Sequence, residues 1–402
     1  MMMLFVFSSM VMVLLLMTTE AAGGGGGGGL GVKLLAAANV TIPAVFMFGD
    51  SIVDTGNNND NLKTPARCNF PPYGRDFQGG IPTGRYSNGK VPSDFIAEEL
   101  GIKELLPAYL DPNLAPNDLL TGVSFAVGAT GYDPITAKVV AVTPLSDQLL
   151  QFAEYIGKLK GIVGEDRANF ILANSLFFVV ASSNDLANTY FVTGIRKLEY
   201  DVPSYTDLML NYASDFLKVT LEHIKSDRCQ NYIILISVKA CNFDLFDFLC
   251  CEKGLYALGA RRIGVFSAPP IGCLPSQRTL GGGILRDCVE KPNQAAMLFN
   301  SKLSAGLDVL NKNLPNSNLV YVDIYNPLLD LIINPTNYGF EIADKGCCGS
   351  GKLEVSILCN EFEPETCTDD SNYVFWDSYH PTEAAYKIIV KELMTKYIHR
   401  LA

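Results

Sequence analysis

Two short stretches of the chain contain residue types and spacings suited to acyl transfer. Ser51 ends the stretch FGDS after an apolar run, and Asp377 precedes His380 by three positions far downstream. A serine hydroxyl attacks a carbonyl at neutral pH only with a base beside it, and imidazole is the usual base. The chain has three histidines, and the other two, His223 and His399, lie in an atypical segment and in a charged C-terminal tail. A serine hydrolase built on this chain would therefore use His380.

The spacing also predicts how these residues would act together. A carboxylate three residues before a histidine can accept a hydrogen bond from Nδ1, which leaves Nε2 of His380 facing Ser51. A serine at a strand end exposes its Oγ, and its N–H at a positive helix start can hold an oxyanion. Each motif has a plainer interpretation too, because Gly-Asp-Ser is a common turn and Asp377 could cap a helix beside an incidental His380.

Two further segments could supply oxyanion donors. The glycine-punctuated loop of residues 122–134 contains Gly128, whose N–H would be unobstructed. The stretch ASSNDLANTY follows another apolar run and presents Asn184, whose carboxamide can donate a hydrogen bond.

Short apolar runs separated by amphipathic segments must position these groups. Buried parallel strands are predicted at Ala44–Phe48, Leu176–Val180, Arg262–Phe266 and Leu319–Ile324. Helices are predicted at Asp94–Leu100, Ser146–Leu159 and Thr382–Tyr397. This alternation indicates a mainly parallel sheet covered on both faces, and ligands bind beyond the carboxyl ends of such strands. Ser51 and Asn184 would both lie at that edge.

The four blocks, in this order and spacing, resemble the GDSL esterase/lipase family of plants, within the SGNH hydrolase superfamily. The closest similarity is to its extracellular lipase branch. Supporting stretches lie at residues 70–74, 82–89, 267–273 and 375–383. The resemblance implies an α/β fold, a three-layer α/β/α sandwich around a five-stranded parallel sheet similar to flavodoxin.

The resemblance also implies roles for individual residues. Ser51 would be the nucleophile, His380 the base and Asp377 the group that orients it. The oxyanion hole would consist of the N–H groups of Ser51 and Gly128 and the side chain of Asn184. No metal and no cofactor is implied.

Two positions depart from the family pattern. Ser182 replaces the glycine that usually opens the block containing Asn184, and it would be strained if that position needs a positive φ. Ala129 follows Gly128 where a second glycine is common. If the oxyanion N–H belongs to that next position, an alanine can still donate it.

The composition is typical of a globular protein. The chain is 48% hydrophobic and 18% charged, which supplies a large core and argues against disorder. The net charge of −11 argues against nucleic acid as a partner, because phosphate binding needs clustered Lys and Arg. A small-molecule or lipid ester is the predicted partner.

Eleven cysteines indicate an oxidising compartment. No Cys-x-x-Cys pair faces a matching Cys or His pair, so a zinc site is not predicted. Local disulfides are expected between Cys273 and Cys288, and between the Cys347/Cys348 doublet and Cys359 or Cys367, with the connectivity left open.

The N-terminal region predicts secretion. Residues 1–22 resemble a signal peptide, residues 23–41 form a glycine-rich linker, and Asn39 is a glycosylation acceptor. An uncleaved anchor is the alternative. Cleavage would release the hydrolase domain, residues 42–402, without stable membrane insertion, into the apoplast, the cell wall or a pollen coat.

One segment interrupts this domain. Residues 219–254 are rich in Cys, Phe and Ile, and they divide what otherwise looks like one helix, from Tyr205 to Leu258. The segment is interpreted as an insert foreign to the parent domain, and a surface excursion is the alternative.

The predicted reaction is hydrolysis of a carboxylic ester, with lipid acyl esters as the substrate. Alternatives with the same fold are a carbohydrate O-acetyl esterase and an acyltransferase. A different class of function is a secreted coat or binding protein with an impaired site.

Overall fold

A parallel sheet of four strands forms the centre of the computed structural model, which describes residues 41–218 and 254–402. In sheet order, the strands are β1 (Val45–Gly49), β2 (Leu176–Val180), β3 (Arg262–Phe266) and β4 (Asn318–Val322). Every residue of β1 and β2 is buried. Strands that read as continuous apolar runs are covered on both faces, which confirms the predicted α/β class.

The sheet has four strands where the sequence analysis expected five. The segment of residues 123–127 runs along the free edge of β1, with Phe125 N donating to Met47 O at 2.8 Å and Val127 N to Gly49 O at 2.9 Å. It forms only isolated bridges, from Ser124 to Met47 on one side and to Ala108 on the other. The fifth element is therefore an extended edge segment and is too irregular to count as a strand.

Nine α-helices in the described residues surround the sheet. They are α1 (Pro92–Glu99), α2 (Pro134–Val139), α3 (Leu145–Val163), α4 (Glu165–Asn174), α5 (Val202–Leu217), α6 (Pro275–Gly281), α7 (Glu290–Asn313), α8 (Tyr325–Ile333) and α9 (Glu383–Leu401). No helix in the described part of the chain is long and apolar enough to cross a membrane.

Aromatic side chains show how the helices divide into two layers. Phe46 and Phe48 of β1 contact Phe152 of α3, and Phe48 also contacts Phe216 of α5. Phe266 of β3 points to the opposite face, where it lines a cavity together with residues of α9. The helices thus form the outer layers of the predicted α/β/α sandwich.

The helix predicted from Tyr205 to Leu258 is described only on the two sides of a gap in the structure. The segment 219–253 lies outside them, and α5 ends at Leu217. Across the gap, Leu255 N donates to Phe216 O at 3.0 Å and Tyr256 N donates to Leu217 O at 3.1 Å. If residue 254 followed residue 218, both bonds would join residues four apart, the spacing of an α-helix. The backbone on the two sides of the segment therefore meets in helical register, although residues 255–259 form a turn.

A second parallel sheet, of two strands, precedes the loop that leads to α9. It contains the parallel pair β5 (Ile342–Gly346) and β6 (Tyr373–Phe375). The predicted disulfide between Cys273 and Cys288 is present, and the doublet pairs as Cys347–Cys367 and Cys348–Cys359.

Candidate active site

The turn after β1 carries Ser51. Gly49 ends the strand with φ of 128°, and a Cβ there would lie 1.8 Å from Val180 O. Only glycine therefore lets β1 end so close to β2. Asp50 then accepts from Ile52 N at 3.1 Å, which holds the turn. This turn places Ser51 at the carboxyl edge of the sheet, where the residue is 7% exposed.

The structure brings Ser51, His380 and Asp377 together in one hydrogen-bonded chain. His380 Nε2 lies 2.7 Å from Ser51 Oγ. On the other side of the ring, Nδ1 lies 2.8 Å from Asp377 Oδ2 and 2.9 Å from Oδ1. All three side chains are buried or nearly so. This arrangement lets the imidazole take a proton from the serine while the carboxylate holds the ring.

The Asp377 carboxylate is held from several directions. Its Oδ1 accepts from the N–H groups of Tyr379 at 2.8 Å and His380 at 2.7 Å. Tyr73 donates its hydroxyl to Oδ2 at 2.8 Å and accepts from Ser356 N at 2.8 Å. Burial raises the pKa of Tyr73 well above its ordinary value, so it remains a donor. Tyr73 was not predicted as a site residue, although it lies in residues 70–74, one of the stretches that resemble the family.

Two predicted oxyanion donors are available. The N–H of Ser51 makes no hydrogen bond to any residue that the structure describes. Asn184 donates one Nδ2 hydrogen to Thr130 O at 2.9 Å, and its second hydrogen has no acceptor in the described chain. Ser51, Asn184 and His380 line the same cavity.

The N–H of Gly128 has a different partner. It donates to Asp54 Oδ2 at 2.8 Å, and Asp54 Oδ1 also accepts from the N–H groups of Gly56 and Asn57. The structure therefore uses the Gly128 N–H to join the loop to the turn after Ser51. A Cβ at Gly128 would lie 2.2 Å from the hydroxyl of Tyr86, so close packing is the reason for glycine here.

Ala129, the residue after Gly128, has the free N–H that the alternative assignment of the oxyanion donor requires. Ala129 has φ of 69°, and its N–H makes no hydrogen bond within the described residues. Ser182, the other departure from the family pattern, is not among the residues with positive φ. The strain anticipated at Ser182 is therefore absent, and left-handed backbone occurs at Ala129 instead.

Two buried carboxyl groups lie in the turn that contains Ser51. Burial raises the pKa of Asp50 to about 7 and that of Asp54 to about 6. The Oδ2 atom of Asp50 has no hydrogen-bond partner among the described residues. Asp50 therefore gains little compensation for its loss of water.

A cavity opens from the serine toward α8 and α9. Its volume is about 640 Å³, including the part open to solvent. Its walls are mostly apolar, and they include Phe266, Leu274, Ile324, Leu328, Ile389 and Leu393. No cluster of three or more His, Cys, Asp or Glu side chains suited to a metal ion occurs among residues 41–218 and 254–402.

Comparison with known proteins identifies the family. Residues 45–393 match the family model described as GDSL-like Lipase/Acylhydrolase. The chain belongs to this family. Two GDSL relatives come from Arabidopsis thaliana. GDSL esterase/lipase EXL3 is 55% identical over 359 residues, which are 89% of this chain and 88% of the relative. GDSL esterase/lipase EXL2 is 46% identical over 373 residues, 90% of this chain and 89% of the relative.

This membership confirms the predicted resemblance and the predicted class of activity. The GDSL protein is a carboxylic ester hydrolase of the SGNH fold. The predicted glycosylation site, Asn39, and the signal peptide lie outside the described residues.

Proposed function

We propose that the GDSL protein hydrolyses fatty acyl esters with Ser51 as nucleophile, His380 as base and Asp377 as the group that orients it. The observation that carries the proposal is the continuous hydrogen-bonded chain from Ser51 Oγ through the imidazole to the Asp377 carboxylate. Residues separated by more than three hundred positions meet there with the contacts that acyl transfer requires.

The reaction proceeds in two steps. Ser51 Oγ attacks the ester carbonyl while His380 Nε2 takes its proton, and the collapse of the tetrahedral intermediate releases the alcohol as His380 returns that proton. Water then attacks the acyl-enzyme with the same histidine as base, and the acid leaves. An acyltransferase would differ only in the second step, where an alcohol replaces water.

The N–H groups of Ser51 and Ala129 and the side chain of Asn184 form the oxyanion hole in this proposal. Ala129 replaces Gly128 because the Gly128 N–H is bound to Asp54. Loss of one such donor typically costs about 2.7–4 kcal/mol of transition-state stabilisation.

The apolar cavity supports a fatty acyl chain as the part of the substrate next to the carbonyl. The residues that line it extend along α9 from Tyr386 to Leu393, about 10 Å of helix axis, so its apolar walls reach well beyond an acetyl group. An acetyl ester of a carbohydrate would leave most of this surface without contact. A fatty acyl chain is therefore favoured over the O-acetyl esterase alternative.

Secretion belongs to the same proposal. Three disulfides close loops of the described chain, and such bonds persist in oxidising compartments. The predicted signal peptide of residues 1–22 would direct the protein there, and Asn39 would carry glycan. Sequencing the N-terminus of the protein from its natural tissue tests this, and a terminus at Met1 would contradict it.

The catalytic assignment is tested by Ser51→Ala, with Ser146→Ala as the matched control because Ser146 is an exposed serine of α3. We expect Ser51→Ala to lose both hydrolysis of p-nitrophenyl esters and labelling by a fluorophosphonate, and to keep its melting temperature. The control should retain all three properties. Hydrolysis by Ser51→Ala at the rate of the unchanged protein would refute the assignment. If the unchanged protein itself has neither activity nor labelling, the alternative function as a secreted coat or binding protein would be favoured.

Substrate class is tested with p-nitrophenyl esters of two to twelve acyl carbons and with acetylated polysaccharide. We expect kcat/KM to rise with chain length, because each added methylene enters the apolar cavity. A maximum at acetyl, or faster release of acetate from the polysaccharide, would favour the O-acetyl esterase.

A further inference from the structure

One hydroxyl and two carboxamide groups connect the loop that contains His380 to the proposed oxyanion hole. Tyr379 donates its hydroxyl to Asn188 Oδ1 at 2.7 Å, and Asn188 Nδ2 donates to Asn184 Oδ1 at 2.9 Å. Asn184 Nδ2 in turn donates to Thr130 O at 2.9 Å. We propose that Tyr379 and Asn188 are positioning residues that fix the direction of the Asn184 carboxamide, so that its remaining N–H faces the reacting carbonyl oxygen. This inference rests on the proposed function of Asn184.

The direction of each bond follows from the donors available. A carboxamide has donors on one atom and acceptors on the other, and rotation by 180° exchanges them. Because the Thr130 carbonyl can only accept, the nitrogen of Asn184 faces Thr130 and the cavity, and the oxygen of Asn184 faces Asn188. Asn188 then presents its nitrogen to Asn184, and its oxygen accepts from the Tyr379 hydroxyl, which keeps Asn188 in this direction. The reversed carboxamide would direct an oxygen at the oxyanion and repel it.

The local backbone explains why Asn188 can reach Asn184. Asn184 is the residue before a π-helical segment, Asp185–Val192, and Asn188 is the fourth residue of that segment. Thr193 N donates to Asn188 O at 2.8 Å, five residues back, which is the π-helical pattern. Asp185 ties the beginning of the segment to the N–H of Tyr132 at 2.8 Å.

The hydroxyl at the start of this series of hydrogen bonds belongs to Tyr379, the residue before His380. Tyr379 lies in the loop between Asp377 and His380, and its N–H donates to Asp377. Burial raises the pKa of Tyr379, so it is a donor throughout the working pH range. The base and the amide donor are thus oriented by the same four-residue loop, although Tyr379 and Asn188 are 191 positions apart.

The experiment uses the full chain with Asn188→Leu and Tyr379→Phe, each alone and combined with Asn184→Ala. Leucine keeps the branched heavy-atom skeleton of asparagine without its donor and acceptor, and phenylalanine removes only the hydroxyl. We expect each single change to lower kcat by about tenfold, the effect of a lost hydrogen bond of ordinary strength, and to leave KM within about twofold. The inhibition constant of a trifluoromethyl ketone, which forms a tetrahedral oxyanion on the serine, should rise by the same factor.

The combined variants separate positioning from general damage. If both residues act through the carboxamide, neither change lowers kcat further once Asn184 is alanine. Asn169→Asp, an exposed asparagine of α4, is the control and should match the unchanged protein.

Two outcomes would overturn the inference and leave the proposed function in place: full activity of both single variants while Asn184→Ala is impaired, or losses that multiply in the combined variants. Full activity of Asn184→Ala itself would remove Asn184 from the oxyanion hole. Full activity of Ser51→Ala would refute the proposed function as a whole.

Discussion

Backbone conformation at single residues decides which N–H groups of the loop after residue 122 are left without a hydrogen bond in the described chain. Gly128 and Ala129 are neighbours, yet one N–H is bound to Asp54 and the other is free within the described chain. Ala129 adopts a left-handed backbone at φ of 69° to reach this position. Its side chain contributes nothing to the proposed chemistry, because only the N–H is used.

Replacing Ala129 with glycine should therefore stabilise the protein. The left-handed region costs an L-residue about 1–2 kcal/mol, and the extra freedom of glycine in the unfolded chain offsets about 0.5–1 kcal/mol of that. We expect Ala129→Gly to raise the free energy of unfolding by about 0.5–1 kcal/mol and to keep kcat. Gly128→Ala, the opposite change one residue earlier, should destabilise, because its Cβ would meet Tyr86. Urea denaturation measures both, and a less stable Ala129→Gly would contradict this account.

The buried carboxyl of Asp50 should make stability depend on pH. Its pKa is raised from 3.8 to about 7 in the folded state, so between these values the folded protein holds a proton that the unfolded chain has lost. This contribution to stability is complete below about pH 4 and is lost as the pH rises through 7. Asn at position 50 stays neutral, so the advantage of Asp50→Asn over the unchanged protein should grow by on the order of 4 kcal/mol between pH 4 and pH 8.

Denaturation curves at several pH values measure that difference. Asp308→Asn, at an exposed position of α7, should show no such growth and serves as the control. A pH-independent difference between Asp50→Asn and the unchanged protein would show that Asp50 is not held protonated by burial.

At the level of elements, the disulfide-bonded loop between β5 and β6 supports the Asp377 carboxylate. Cys348–Cys359 closes the loop that contains Ser356, and Ser356 N donates to the hydroxyl of Tyr73, which donates to Asp377. The carboxylate is thus held by an element that contributes no group to the reaction itself.

Tyr73→Phe should therefore impair catalysis. It removes one hydrogen bond to the Asp377 carboxylate and leaves the Ser356 N–H without an acceptor. Hydrogen bonds to charged groups contribute about 1.5–3 kcal/mol, so we expect kcat to fall by about tenfold to a hundredfold with KM nearly unchanged. Steady-state kinetics provide the measurement, with Tyr338→Phe as the control because that hydroxyl bonds Asp330 at the surface. An equal fall in both variants would contradict a specific role of Tyr73.

The sequence predicted those elements whose signal is local. The runs at Leu176–Val180 and Arg262–Phe266 are strands with the predicted bounds, because short apolar segments between polar residues have few other structures. The edge segment at residues 123–127 was not predicted, since its extended backbone depends on bonds to β1.

At the site, the residues carrying reactive groups were predictable and their supports were not. Ser51, Asp377 and His380 lie in short motifs whose residue types and spacing are typical of acyl transfer, and the chain has only three histidines. The contacts of Tyr73 with Asp377 and of Tyr379 with Asn188 join positions 304 and 191 residues apart, and no local pattern encodes them. The choice between Gly128 and Ala129 depends on backbone direction, which the sequence left open.

For the molecule as a whole, the described parts on either side of residues 219–253 meet with two hydrogen bonds in helical register, although residues 255–259 form a turn. Removing that segment and linking Lys218 to Gly254 should leave an active hydrolase of equal or higher stability, because the bonds from Leu255 and Tyr256 already have helical spacing. Thermal unfolding and ester hydrolysis measure the outcome.

A matched deletion of residues 219–255 tests the register. It removes two further residues, including the buried Leu255, and rotates the downstream chain by about 200° around the helix axis. We expect this variant to be much less stable than the first. Loss of folding in the first deletion, or equal behaviour of the two, would contradict the helical junction.

The distance along the chain between nucleophile and base also has a consequence for biosynthesis. A ribosome that has just added Ser51 must add 329 more residues before His380 exists. At about 5–20 residues per second, this interval lasts on the order of half a minute. Throughout that time Ser51 has no imidazole beside it, so under the proposed mechanism the nascent polypeptide cannot hydrolyse esters.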